Sequence, residues 1–218
     1  MQMDAFAVVR PFFAPGKTAV DEQLRQETLA VAEGLKRQDP ALLDELIVRY
    51  QHRLLRYLLY LTGSREQAED FFQDVWMRVL VRGAQFNGNS RFDTWLFTIA
   101  RNLVIDQSRK RTMASLDALY TVADNDGQMR RFDVAGDSPS PLDLCSNNED
   151  RERIAAALLQ LDTLYREVLV LRFHEELSLD EISKVIGSPL STVKSRLYRG
   201  LAALKPKLER DQRTMESA

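Results

Sequence analysis

The stretch SLDEISKVIGSPLSTVKSRLYRGLAAL, residues 178–204, decides the fold class. Ser178 stands before a short helical pattern whose apolar positions are Ile182, Val185 and Ile186. Gly187 can adopt the left-handed backbone that a sharp turn needs. Ser188-Pro189 then reads as the cap and opening of a second helix, with Val193, Leu197 and Leu201 inward at steps of four. Its outward face carries Ser191, Thr192, Lys194, Ser195, Tyr198 and Arg199. This is a helix-turn-helix with a hydroxyl-rich, basic second helix. Such a helix suits the DNA major groove, where short polar and Lys/Arg side chains read base edges. The plainer alternative, a helical hairpin with a solvated basic face, leaves the charge pattern unexplained. From Ile182 to Leu208 there is no acid, but six bases: Lys184, Lys194, Arg196, Arg199, Lys205 and Lys207.

Upstream, helical spacing continues. Asp39-Pro40 is a helix start, and Leu42, Leu43, Leu46, Ile47, Tyr50, Leu54, Tyr57, Leu58 and Leu61 follow at steps of three and four up to Gly63. Ser64 and Gln67 have capping-box spacing, and the next stripe is Ala68, Phe71, Phe72, Val75, Trp76, Val79 and Leu80. After the loop Gly83–Ser90 a third helix places Phe92, Trp95, Leu96, Ile99 and Leu103 inward and runs to Arg109-Lys110-Arg111. Two further helices are marked by Ile154, Leu158, Leu161 and by Leu164, Val168, Leu171. No alternating strand pattern appears, so the fold is all-α: two small helical domains. A flexible acidic linker, residues 112–148, joins them, because aperiodic loops of that length are uncommon inside one domain. From Thr112 to Asp150 there are eight acids and two bases. The resulting division is an aperiodic extension at 1–26, expected to be loose, then domains at 27–111 and 149–210 and a tail at 211–218.

Composition narrows the function. The 218 residues carry a net charge of −2, which hides the segregation of basic and acidic segments. One cysteine, Cys145, excludes an internal disulfide; with two histidines, His52 and His174, a dedicated metal site is not expected. Cys145 lies in the acidic linker with no adjacent base to activate it. His174, beside Glu175 and Glu176, has no nucleophile for company and reads as a surface residue. No phosphate-binding glycine loop is present, so no enzyme, cofactor or catalytic residue is indicated. The chain lacks an apolar stretch that would span a bilayer, and a cytoplasmic protein is expected.

Two more constellations point to partners. Asp70, Gln73, Asp74 and Met77 share the face opposite the apolar stripe of their helix. A Met among carboxylates and an amide fits a docking face; spacing alone leaves a solvated acidic face equally open. In the loop, Phe86 with Asn87, Gly88 and Asn89 could stack on or pocket an unpaired base. Thr98, Arg101, Asn102 and Asp106 point away from the Trp95/Ile99 side, and Arg109 to Arg111 could meet phosphates. Trp76 and Trp95 read as core residues.

In this order the three constellations resemble the sigma-70 family of bacterial RNA polymerase initiation factors, and most closely its extracytoplasmic-function class with regions 2 and 4 only. YQHRLLRYLLYLTGSREQAEDFFQDVWMRVL resembles regions 2.1 and 2.2. FNGNSRFDTWLFTIARNLVIDQSRKR, which keeps the F-x-T-W-L-x-x-I-A-x-N pattern, resembles regions 2.3 and 2.4, and residues 161–204 resemble region 4. The resemblance implies that Asp70, Gln73, Asp74 and Met77 meet the β′ coiled coil of core polymerase. It implies −10 promoter contacts from Phe86, Asn87, Asn89, Arg101, Asn102 and Arg109. By the same resemblance Ser191, Thr192, Lys194, Ser195, Tyr198 and Arg199 meet the −35 element, and region 4 also docks on the β flap. An anti-sigma factor is a further implied partner, and a nucleoid location within holoenzyme follows. The chain departs from the family pattern at Phe71-Phe72, at Ser183 where Ala is usual, and at Ser188–Ser191. A dimeric helix-turn-helix regulator would account for residues 178–204 but not for the segment that resembles region 2, residues 27–111.

Overall fold

The computed structural model describes the backbone of residues 19–118 and 148–215, and the side chains of residues 22–109 and 151–208. Among these residues all regular structure is helical: α1 (Ala19–Lys36), α2 (Pro40–Thr62), α3 (Arg65–Arg82), a 3₁₀ turn (Gly83–Gln85), α4 (Phe92–Ala118), α5 (Asn148–Leu159), α6 (Thr163–Phe173), α7 (Leu179–Ile186) and α8 (Leu190–Met215). Cys145, most of the acidic linker and both chain ends lie outside the described residues.

Local chemistry sets the helix ends. Asp39 accepts the Ala41 N–H at 3.0 Å, Pro40 opens α2, and Gly63 closes it at φ 67°, donating its N–H to the Leu59 carbonyl at 2.8 Å. The Ser64 hydroxyl accepts the Gln67 N–H at 3.4 Å. The return arm of the expected capping box comes from elsewhere, since the Ser64 N–H donates to Thr62 Oγ1 at 3.3 Å. A full capping box stands instead at α7. There the Ser178 N–H donates to Glu181 Oε2 at 2.8 Å, and the Glu181 N–H donates to Ser178 Oγ at 3.2 Å.

Helices α2, α3 and α4 form the first bundle around Leu54, Tyr57, Leu58, Ala68, Val75, Val79, Leu96 and Phe97, and α5 to α8 form the second around Leu158, Val168, Leu171, Ile182, Val185 and Val193. The two meet where α7 packs on α4 and α6 on α2. Helix α6 is therefore buried at every position from Arg166 to Leu171, as expected of a helix with neighbours on all sides.

Several sequence expectations are corrected. Residues 19–26 belong to α1 and are not loose extension; their composition, rich in Glu, Gln, Leu and Arg, favours a helix without a long apolar stripe. The helix after the loop runs beyond Arg111 to Ala118. Leu80 and Leu164 are exposed, because each sits at the edge of its stripe where no neighbouring helix reaches. His174 is half-buried, its ring 5.5 Å from that of Tyr60.

Candidate nucleic-acid and protein interfaces

The helix-turn-helix is built from α7 and α8. Gly187 turns the chain at φ 60°. The Ser183 hydroxyl then donates to the Ser188 carbonyl at 2.6 Å, tying the end of α7 across the turn. That bond gives the unusual serine a structural task. Ser188 is not the cap of α8. Its hydroxyl turns back to the Ile186 carbonyl at 3.5 Å, and the first helical bond runs from the Val193 N–H to the Pro189 carbonyl at 3.1 Å. The inner face of α8 is Val193, Leu197, Gly200, Ala203 and Leu204. Leu201, expected inward, is exposed, because the stripe steps from Leu197 to Gly200 rather than by four. Gly200 is required by close approach: a Cβ there would lie 3.2 Å from Leu169 and 3.3 Å from Tyr165 of α6. With that side anchored, Ser191, Lys194, Ser195, Tyr198 and Arg199 are exposed and Thr192 is half-buried. Ser195 Oγ donates to the Thr192 carbonyl at 3.1 Å.

On α3, Asp70, Gln73, Asp74 and Met77 are all exposed, Met77 at 59%. Asp70, Gln73 and Asp74 line a concavity of about 310 Å³ with Gln67, Phe71 and Gln107, so α3 and α4 jointly frame it. The exposed Leu80 and Val81 extend the apolar side of Met77 toward the end of α3. The face therefore combines carboxylates, amides and apolar groups.

The loop and α4 place their residues less uniformly. Phe86 is only 4% exposed; its ring centroid lies 5.2 Å from Trp95 and 5.7 Å from Phe92. It is a foundation of the loop in this conformation and offers no open stacking surface. Trp76 is buried and Trp95 partly buried, as core residues. Asn87 and Asn89 are exposed at the loop tip, shaped by the Asn89 N–H donating to Asn87 Oδ1 at 3.0 Å. Gly88 takes φ 71°, and a Cβ there would meet Leu29 of α1 at 3.1 Å. Asn102 and Arg109 are exposed, whereas Arg101 is drawn inward, its side chain 15% exposed.

The inward turn of Arg101 reveals residues that the sequence reading missed. Arg101 Nε and the Tyr57 hydroxyl both donate to Glu167 Oε1, at 2.7 and 3.1 Å. Arg53 Nε donates to Glu175 Oε2 at 2.7 Å, and Arg53 Nη2 lies 3.8 Å from Asp93. Arg91 contacts Asp93 at 2.6 Å and Glu181 at 3.8 Å. Burial pushes the carboxyls of Glu167, Glu175 and Asp93 upward, and the neighbouring arginines oppose that rise. The Tyr57 hydroxyl is pushed well up by burial and then by Glu167. Among the described residues no group of three or more His, Cys, Asp and Glu side chains gathers as a metal site needs, and no helix is long and apolar enough to cross a membrane.

Comparison with known proteins matches this geometry to one class. Residues 46–113 match the family model for sigma-70 region 2, and residues 151–204 match that for sigma-70 region 4. The chain is 33% identical over 175 residues to the ECF RNA polymerase sigma factor SigW of Bacillus subtilis, covering 80% of this chain and 92% of that protein. It is 26% identical over 197 residues to the ECF RNA polymerase sigma-E factor of Escherichia coli K12, covering 87% and 97%. The chain belongs to the extracytoplasmic-function class of sigma-70-family RNA polymerase sigma factors. Its function is that of the class, to direct RNA polymerase to promoters. Two solved structures share the fold at 23% identity. They are the sigma factor RpoE with the anti-sigma factor NepR from Bartonella quintana (TM-score 0.60, covering 76% of this chain and 96% of that one), and CnrH with the cytosolic domain of CnrY (TM-score 0.56, covering 86% and 98%).

Proposed function

We propose a division of labour among three surfaces of this sigma factor. The α3 face with Asp70, Gln73, Asp74 and Met77 docks on the β′ coiled coil of core polymerase. The loop residues Asn87 and Asn89, with Asn102, Arg101 and Arg109 of α4, engage the −10 element as it unpairs. Phe86 acts there by shaping the loop from beneath. The α8 face with Ser191, Thr192, Lys194, Ser195, Tyr198 and Arg199 reads the −35 element, while the rest of region 4 docks on the β flap. An anti-sigma factor is the expected inhibitory partner, in keeping with RpoE of like fold, which is bound to the anti-sigma factor NepR.

The observation that carries this reading is the outward presentation of the α8 residues from a fixed inner face of Val193 and Gly200. A rigid helix offering Lys194 and Arg199 supplies both phosphate neutralisation and base readout. The factor itself breaks no bond. Flipping a base costs a few kcal/mol, offset by stacking of roughly 1–3 kcal/mol per base and by phosphate contacts. Two weak DNA sites held on one polymerase gain by effective concentration. Run-off transcription with core polymerase on genomic promoter fragments tests the reading. Initiation that depends on this chain is expected; a chain that binds those fragments as a dimer and starts no transcription is an ordinary helix-turn-helix regulator.

A further inference from the structure

The loop between α3 and α4 is seated on α1 at both ends. At its start Gly83 is buried, and a Cβ there would lie 3.3 Å from Leu35 Cβ. At its tip a Cβ on Gly88 would lie 3.1 Å from Leu29 Cδ2, 3.7 Å from Ala32 Cβ and 3.7 Å from the Thr28 carbonyl oxygen. Two residues without a Cβ let the loop backbone come this close. Thr28, Ala32 and Leu35 recur at steps of four and three and so form one face of α1. Thr28 and Leu35 on that face are buried. Leu29 stands beside it and is 48% exposed, although its methyl group reaches the loop tip. An exposed leucine is ordinary in itself; its place, against the backbone between Asn87 and Asn89, is what marks this one.

An unpaired base asks for two kinds of contact. Its edge needs donors and acceptors, which the exposed amides of Asn87 and Asn89 offer. Its faces, stripped of stacked neighbours, need apolar cover. Phe86 does not supply that cover, because its ring is 4% exposed and packed against Phe92 and Trp95. Leu29 does, from the helix on which the loop rests. That helix precedes residues 46–113, the segment matched to region 2.

We propose that Leu29 of α1 is the apolar wall of the −10 base-capture site: one unpaired base of the non-template strand lays its face on Leu29 while Asn87 and Asn89 meet its edge. The proposal rests on the reading of the loop as a −10 contact. Every base has an apolar face, so the wall adds affinity at one position without choosing the base, and the amides do the choosing. Gly88 belongs to the same device, since any side chain there would push the loop tip off Leu29.

The test uses holoenzyme assembled from the full chain and core polymerase. Its affinity is measured by anisotropy of labelled fork-junction DNA from a promoter mapped by run-off transcription, with the non-template −10 strand unpaired. That strand is used intact and with one abasic site at each position in turn. Wild type is compared with Leu29→Ala, Leu29→Met and the double variant Asn87→Ala/Asn89→Ala. Alanine is a good helix former at a half-exposed site; circular dichroism confirms equal helix content, and Leu29→Gln replaces Leu29→Ala if helix is lost. Leu29→Ala should lower affinity for the intact strand about fivefold, the low end of what a base-stacking side chain contributes. That loss should vanish at one abasic position. Leu29→Met, which keeps the apolar surface, should stay within about twofold of wild type. An abasic site removes the base and keeps the phosphate, so a leucine that only props the loop would show the same loss at every position. A loss that persists at every abasic position, or no loss on the intact strand, overturns the proposal. A loss for the asparagine variant without one for Leu29→Ala overturns the wall and leaves the loop reading intact; unchanged affinity for both overturns the loop reading as well.

Discussion

The two faces assigned to DNA are held in opposite ways. On α8, Lys194, Ser195, Tyr198 and Arg199 are exposed, and what fixes them lies behind them: Val193, Gly200 and the Ser183–Ser188 tie. On α4, the face is shared. Asn102 and Arg109 are exposed, but Arg101 is engaged by Glu167 and the flank from Asp93 to Thr94 is buried where α7 packs on α4. One face is complete in a single motif, and the other depends on where a second bundle sits.

Breaking the support behind α8 should have the largest effect. Val193→Asp buries a charge without a partner at a site with 0% exposure, and a loss of about 3 kcal/mol or more of stability is expected. Chemical denaturation followed by circular dichroism would show an early transition for region 4. A single unchanged transition would mean that α8 is not anchored through this side chain.

Asp74→Arg should act on the partner face and spare both DNA faces. Charge reversal on an exposed helix leaves helix content unchanged, and affinity for core polymerase should fall about tenfold, since like charges across an interface cost affinity and specificity. Competition against another sigma factor measures it. Unchanged affinity would return Asp70, Gln73 and Asp74 to plain solvated surface. Ser183→Ala is the mildest change. It removes the bond to the Ser188 carbonyl and should cost about 1 kcal/mol, read as a modest fall in melting temperature with −10 recognition intact.

Much of this architecture is legible in sequence because it is local. Asp39-Pro40, Gly63, Ser178 and Gly187 mark ends that the backbone obeys; Leu46, Tyr50, Leu54, Tyr57 and Leu58 of α2 and Ile182, Val185 and Ile186 of α7 are buried as their spacing predicts, while Leu42, Leu43, Ile47 and Leu61 are half-buried. What escapes is what local spacing cannot contain. The partner of Arg101 stands 66 residues away and that of Arg53 stands 122 away, so no periodic pattern couples them. Glu175 sits beside the polar Glu176 and looks like surface until α2 is placed against it. Leu80 and Leu201 show the converse limit. An apolar residue at the margin of a stripe is buried only if a neighbour covers that margin, and the sequence of one helix does not specify the neighbour's breadth. Phe86 was legible as an aromatic in a polar loop, but its direction follows from Phe92 and Trp95, which pull it under the loop.

The claim that two separate faces read two separate promoter elements is tested most directly by a matrix of initiation rates. Wild type, Asn102→Ala and Arg199→Ala would each be assayed with core polymerase on promoters carrying single substitutions in either element. Arg199→Ala should weaken initiation by the equivalent of about 1–3 kcal/mol and relax preference at one −35 position only, if it reads a base, or lower the salt slope by about one unit at every sequence, if it meets phosphate. Asn102→Ala should relax a −10 position and leave the −35 pattern untouched, because the side-chain amide both donates and accepts at a base edge and a methyl does neither. Matched losses of this kind, each confined to its own element, are the predicted result. Losses in both elements from either substitution, or preferences that neither substitution alters, would contradict the assignment of α4 and α8 to distinct elements.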